Sequence, residues 1–150
     1  MRKAILLVVG LVLSAPVMAN PFKEVGRDGR YVEYQGELTL KGRFERLQDS
    51  ITLDWRGDRV CFFPDAESTR QLPRAFSSSK PAMFCFANTR AAIAQLGLPS
   101  APAAGACGMT GTASVFISRY VVENGMGETY DLATLTKAAN VSPLKTVACP

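Results

Sequence analysis

The sequence predicts a mainly β protein with a small closed sheet and one helix. The first observation is the segment YVEYQGELTLKGRFER, residues 31–46, in which apolar residues occupy alternate positions as in a half-buried strand. The second is that the apolar face is interrupted only by Gly36 and Gly42. An inward-facing glycine permits a bend or a bulge, so the pair predicts a long strand that curves around a small barrel. A flat sheet with two weak positions is the alternative interpretation.

A hairpin is predicted directly after this strand. Residues 51–56, ITLDWR, alternate again and predict a second strand with its apolar side chains inside. Gly57 and Asp58 form a two-residue turn signal, because glycine tolerates positive φ. Residues 59–63 then return as a third strand.

The second half of the chain contains further strand signals. Residues 82–88 and 112–122 are rich in apolar, aromatic or β-branched residues and predict strands. Residues 129–136 predict a final strand, with a helix as the alternative because the same residues also fit a helical period. The last ten residues contain two prolines and are expected to be irregular.

Two segments have the signals of helices. A short helical turn is predicted within residues 65–72, capped by Asp65. The clearest helix is expected at about residues 89–96, where Asn88 can cap the start and Gly97 can end the helix.

The order of these elements resembles the OB-type fold over residues 31–136. That fold is a five-stranded, partly open Greek-key barrel. The resemblance implies an OB-like antiparallel barrel of five to six strands with the helix at about 89–96. The segment 82–88 is one strand more than the minimal scheme contains. The resemblance rests on the order of elements, without a fingerprint motif.

The N-terminus has the layout of a secretory signal. A basic start precedes the apolar run 4–13, and small residues up to Ala19 follow it. The run has about half of the roughly 20 residues that cross a bilayer. The sequence therefore predicts a cleaved signal peptide at residues 1–19 and a single domain at residues 20–150. A retained membrane anchor is the alternative.

The four cysteines all lie in the predicted exported part, which favours two disulfides. Three connectivities are open. We favour Cys61–Cys85, because both cysteines lie in short apolar runs that could be neighbouring strands, and Cys107–Cys149, which would fix the C-terminal tail. On the chain-entropy model, each disulfide that closes a loop of this size stabilises the folded protein by about 3–4 kcal/mol. The spacings lack the paired cysteines typical of a zinc site.

Composition restricts the chemistry. The chain has no histidine, which excludes Ser-His-Asp and Cys-His catalysis and removes the commonest general base. Acidic and basic residues interleave, as on a solvated surface. Nucleic-acid binding needs a basic groove with exposed aromatic residues. It is disfavoured, because Phe44 and Trp55 lie on predicted core faces and because the protein is predicted to be exported. We expect no cofactor, no metal and no enzymatic activity.

The candidate binding site is the polar stretch RQLPRAFSSSK, residues 70–80. Phe76 is its large apolar residue and is flanked by Arg74 and Lys80, a combination suited to contact with a partner. An ordinary loop with Phe76 turned into the core is the alternative.

The predicted function is therefore binding. We expect a periplasmic or secreted monomer that recognises a protein or a component of the cell envelope. An inhibitor or immunity protein that blocks a hydrolase in the same compartment is the alternative. An enzyme with carboxylate chemistry is a third hypothesis, and it would need two facing carboxylates in a pocket.

Overall fold

The computed structural model describes residues 21–74, 82–124 and 130–149. These ranges form one mixed seven-stranded sheet and three short helices. The strands are β1 (Lys23–Asp28), β2 (Tyr31–Leu47), β3 (Val60–Pro64), β4 (Phe84–Phe86), β5 (Ala106–Glu123), β6 (Asp131–Ala139) and β7 (Lys145–Ala148). The helices are α1 (Ser50–Arg56), α2 (Ala66–Thr69) and α3 (Thr89–Gln95).

Five of the strands form a ring. Strand β2 pairs with β3, β3 with β4, β4 with β6, β6 with β5, and β5 returns to β2. The prediction of an antiparallel sheet is wrong for one of these pairs, because β4 and β6 run parallel. Strands β1 and β7 extend the ring, β1 along β2 and β7 along β5.

Both glycines of β2 lie where another part of the backbone comes very close. A Cβ at Gly36 would overlap the carbonyl of Pro21, and the register of β2 against β5 shifts around this position. A Cβ at Gly42 would overlap the carbonyl of Phe63 on the neighbouring strand. A side chain at either position would push the backbones apart, so glycine is required by close approach.

The core is an aromatic cluster inside the ring. Phe62 on β3 lies 5.4 Å from Phe84 on β4, and Phe84 lies 5.6 Å from both Phe86 and Tyr120, measured between ring centroids. Strand β2 adds apolar residues at alternate positions, as predicted: Val32, Leu38, Leu40 and Phe44 are buried. Period-two alternation therefore identified the inner face of β2 correctly.

The predicted strand at 51–56 is wrong, because this segment forms helix α1. The side chain of Asp49 accepts a hydrogen bond from the backbone N–H of Thr52 at 2.9 Å and caps the helix. Gly57, with φ of 66°, ends the helix, so the predicted turn at 57–58 is wrong too. Strand β3 already pairs with β2 and β4, which leaves it no free edge for a hairpin partner.

The other strand predictions have mixed outcomes. Strands within 31–46, 59–63, 82–88 and 112–122 are confirmed, and residues 129–136 contain the start of a strand, β6, where a helix was the alternative. The expectation of an irregular C-terminus is wrong, because β7 pairs with the start of β5. Strand β1 had no clear sequence signal, since its six residues are all exposed.

Helix α3 confirms the predicted helix and covers an edge of the sheet. The side chain of Asn88 does not cap the helix; it donates to the carbonyl of Leu135 at 2.7 Å and accepts from its N–H at 3.0 Å. Gln95 bonds the carbonyl of Thr136 and the N–H of Ala138 in the same way. The two amide side chains thus take the place of a neighbouring strand along β6. Helix α2, capped by Asp65, also matches its prediction.

Both predicted disulfides are confirmed, Cys61–Cys85 and Cys107–Cys149. The first joins directly paired residues of β3 and β4 and is fully buried. The second ties the residue after β7 to β5.

The predicted signal peptide, residues 1–19, lies outside the residues that the structure describes. Within the described ranges, none of the helices has the length and apolar character needed to cross a membrane.

Candidate functional site

Helix α1 exposes large apolar side chains. Ile51 is 75% exposed, Trp55 is 44% exposed and Leu53 is 38% exposed. The sequence interpretation had placed all three in the core. Because a helix turns by about 100° per residue, an alternating sequence spreads its apolar residues around the axis and cannot bury them together. The helix is nevertheless well capped, and the hydrogen bond from Thr52 lowers the pKa of the Asp49 carboxyl that caps it.

One side of α1 continues into a second connection. Ile51 and Trp55 are four positions apart and so lie on one side of the helix. The ring of Trp55 meets the ring of Tyr130 edge to face, with 5.8 Å between their centroids. Tyr130 directly precedes β6. We call Ile51, Trp55 and Tyr130 the α1 apolar surface.

A cleft of about 570 Å³ adjoins this surface. Three parts of the chain line it: residues 56–59 after α1, residues 87 and 89 at the start of α3, and Tyr130. The cleft therefore lies between the β2–β3 connection, the end of β4 and the start of β6.

A salt bridge anchors the connection on one side of the cleft. Arg46, only 5% exposed, donates to both carboxylate oxygens of Asp58 at 2.7 and 2.6 Å and to the carbonyl of Pro99 at 2.6 Å. The hydrogen bonds from Arg46 lower the pKa of Asp58. The two-point contact fixes the direction in which residues 57–59 leave the helix.

The second buried cation of the cleft is less completely paired. Arg56 is 7% exposed and reaches Glu45 with one nitrogen at 3.2 Å and the sulfur of Met83 with another at 3.8 Å. Its Nε–H is buried and has no hydrogen-bond partner among the described residues. Glu45 is itself shared, because Arg43 donates to its other oxygen at 2.6 Å.

The binding site predicted from the sequence falls only partly within the described residues. Phe76 and Lys80 lie outside them, so the structure neither supports nor contradicts their proposed role. Arg74 is half-buried, and its positive charge partly opposes the rise that burial causes in the pKa of Tyr120 and of Asp131.

Asp131 and Tyr120 form a buried polar pair beside Arg74. The hydroxyl of Tyr120 donates to Asp131 at 2.7 Å, and the N–H of Glu123 donates to the other carboxylate oxygen at 3.1 Å. Burial nevertheless raises the pKa of Asp131, and burial together with the charge of Asp131 raises the pKa of Tyr120 well above its usual range. The pair joins β5 to β6 at the aromatic core.

The α1 apolar surface could not be found from the alternation of residues 51–56, because alternation is a strand signal. The signal that could have found it is Asp49, an N-cap residue three positions before Thr52, together with Gly57 at the other end. The same rule was applied correctly to Asp65 at the start of α2.

Metal-ligating side chains do not gather in the part of the chain that the structure covers: no group of three or more His, Cys, Asp or Glu residues comes together there.

Compared with models of protein families, with curated proteins and with solved structures, the chain matches none.

Proposed function

We propose that this protein is exported and acts by binding another protein through the α1 apolar surface. The observation that carries the proposal is the exposure of Ile51 and Trp55 on a capped helix. Contiguous exposed apolar side chains cost free energy in water and are typical of interaction sites. Neither side chain belongs to the buried core cluster or to the partly buried residues packed against it.

The side chains favour a protein over a glycan as the partner. Trp, Tyr and Arg are the residues that contribute most to protein–protein binding energy, and Trp55, Tyr130 and Arg56 lie together here. Ile51 adds an aliphatic group on the same side of the helix, which suits an apolar protein contact.

The position of the surface within the sheet supports the location of the binding site, and the side chains described above decide the class of partner. We infer that the ring of five strands is an OB-like barrel, in which β2, β3, β4, β5 and β6 are successive barrel strands. OB folds bind their ligands through the connection between the first and second strands and that between the fourth and fifth. Here α1 lies in the first of these connections, and Tyr130 is the last residue of the second.

Export is supported by the disulfides and by the predicted signal at residues 1–19. Disulfides persist in oxidising compartments, which fits a periplasmic or secreted protein. We propose a monomer without enzymatic activity or cofactor, whose partner is a protein of the same compartment. An inhibitor of a hydrolase is the narrower version of this function; it predicts stoichiometric loss of the hydrolase activity on binding.

The proposal is tested by capture from envelope extract followed by titration with the purified partner. The disulfide-bonded protein serves as bait beside Ile51→Asp. Val25→Asp is the matched control, because Val25 is 53% exposed on strand β1, which pairs with the opposite end of β2 from α1. We expect one protein to bind wild type and Val25→Asp equally, and Ile51→Asp to weaken it about tenfold or more.

Three results would contradict the proposal. Equal affinity of all three baits would place the contact elsewhere. A glycan as the retained species would overturn the partner class. Loss of binding by Arg74→Ala and Phe76→Ala with Ile51→Asp unaffected would assign the contact to residues 74–80, the site predicted from the sequence.

A further inference from the structure

The cleft beside the α1 apolar surface has more positive than negative charge. Two arginines, Arg56 and Arg59, line it together with one carboxylate, that of Asp58. Asp58 is bound at both oxygens by Arg46, so its charge is already compensated. Glu45, the partner of Arg56, is the single carboxylate that serves both Arg56 and Arg43. Arg43, Arg46, Arg56 and Arg59 thus have two carboxylates near them, those of Glu45 and Asp58, although only Arg56, Arg59 and Asp58 line the cleft itself.

Arg56 has unused hydrogen-bonding capacity. A guanidinium carries five N–H donors, and the only oxygen that Arg56 reaches among the described residues is Glu45 Oε1. A buried donor without an acceptor costs about 1–3 kcal/mol. Because Arg56 is only 7% exposed, a negative charge placed in the cleft would compensate a positive charge that is largely removed from water.

Arg59 is the cation that a ligand can meet directly. It is half-buried at the cleft wall, and its guanidinium makes no hydrogen bond or ion pair within the described ranges. The planar guanidinium of arginine binds a carboxylate through two parallel hydrogen bonds. Tyr130 and Thr89 stand at the other parts of the wall.

We propose that the cleft receives a carboxylate from an Asp or Glu side chain of the partner, bound by Arg59 and stabilised by the charge of Arg56. This inference rests on the proposed function, because Tyr130 belongs to both the cleft and the α1 apolar surface. The partner segment is then an acidic peptide in which a carboxylate side chain lies next to an apolar contact residue. A strand of nucleic acid fits less well, since Trp55 and Tyr130 meet each other edge to face and do not form a track for successive bases.

The test is selection from a displayed random peptide library against the disulfide-bonded protein. Four baits are used: wild type, Arg59→Met, which keeps an unbranched apolar stem, Arg59→Lys, which keeps the charge, and Ile51→Asp. We expect the wild-type protein to select peptides that combine apolar with acidic residues. Arg59→Met should lose the preference for acidic residues, and Arg59→Lys should recover part of it. A synthetic selected peptide should bind Arg59→Met about tenfold or more weakly, and its Glu→Gln form should bind wild type and Arg59→Met equally.

The outcomes separate the two proposals. Apolar peptides without an acidic preference on wild type would overturn the carboxylate site and leave the proposed function standing. No enrichment on wild type, or the same peptides on Ile51→Asp, would overturn both. Binding of an oligothymidylate that depends on Arg59 would replace the carboxylate by a phosphate and would overturn the inference.

Discussion

Helices α1 and α3 each have seven residues, yet the protein uses them in opposite ways. Helix α3 buries Ala92 and the adjoining Leu96, and the neighbouring amide of Asn88 completes the edge of β6. Helix α1 buries only Arg56, a cation, and turns Ile51 to the solvent. One helix is attached through apolar packing and the other through polar contacts.

The apolar side chain of Leu96 next to α3 is buried and stabilises the fold, whereas that of Ile51 in α1 is exposed and contributes little to the core. The cap at Asp49 and the salt bridges Arg56–Glu45 and Arg46–Asp58 hold α1 in place, and Trp55 adds an aromatic contact with Tyr130. Ile51, which is 75% exposed, is therefore available for contact with a partner, and mutation can separate the two roles.

The largest effect is expected from a pair of truncations, Leu96→Ala and Ile51→Ala. Leu96 is 1% exposed in the core, so its truncation should lower the free energy of unfolding by about 2–4 kcal/mol. Ile51→Ala should change it by less than about 0.5 kcal/mol. Urea unfolding of the two variants with their disulfides intact measures the difference. Equal losses would show that α1 packs against the core after all.

The next effect concerns the edge of β6. Asn88→Ala leaves the N–H and C=O of Leu135 without their partner and should cost about 1–3 kcal/mol. Gln95→Ala is the control, because its bonds are exposed and water can replace them. Hydrogen exchange should become faster at Leu135 in the first variant and at Ala138 in the second. Unchanged exchange at Leu135 would contradict the edge role of Asn88.

The smallest effect is a pH-dependent one at the base of α1. The pKa of Asp58 is lowered in the folded protein, so the Arg46–Asp58 contact stabilises the protein above the ordinary aspartate pKa of about 3.9 and is lost as the pH falls through the lowered value. Because Asp58 is partly exposed, Asp58→Asn should cost only about 1 kcal/mol at neutral pH. Unfolding measured from neutral pH to about pH 3 should show the variant and wild type converging. Asp54→Asn, on the exposed side of α1, should differ little from wild type throughout.

Much of the sheet could be predicted because its signals are local. Inner and outer positions of β2 follow from side-chain alternation, and the cysteine pairs follow from two short apolar runs and a tail cysteine. The candidate site could not be predicted in this way. Residues 51–56 alternate like a strand, but β3 already has two neighbours, and a helix satisfies the backbone of the segment without a partner strand.

Strand β7 is the opposite case, because a segment that was predicted to be irregular forms a strand. Residues 145–148 have no alternation of their own, and they are strand because the free edge of β5 offers hydrogen bonds and Cys149 ties the tail there. The burial of Arg46 also depends on contacts that the local sequence does not reveal. Arg46 continues the inward-facing row of β2, and its hydrogen-bond partners are Asp58 and the carbonyl of Pro99, which other parts of the chain supply.

By itself the sequence determined the β-rich class, the inner face of the long strand and helix α3, since each follows from neighbours along the chain. It favoured the disulfide pairing that the structure shows but left three connectivities open. The tertiary structure alone decided the ring of strands, the exposure of α1 and the positive cleft beside it. Which edges are free and which charges meet depends on residues that are distant in sequence, and the backbone must satisfy its hydrogen bonds with whatever partners that arrangement leaves.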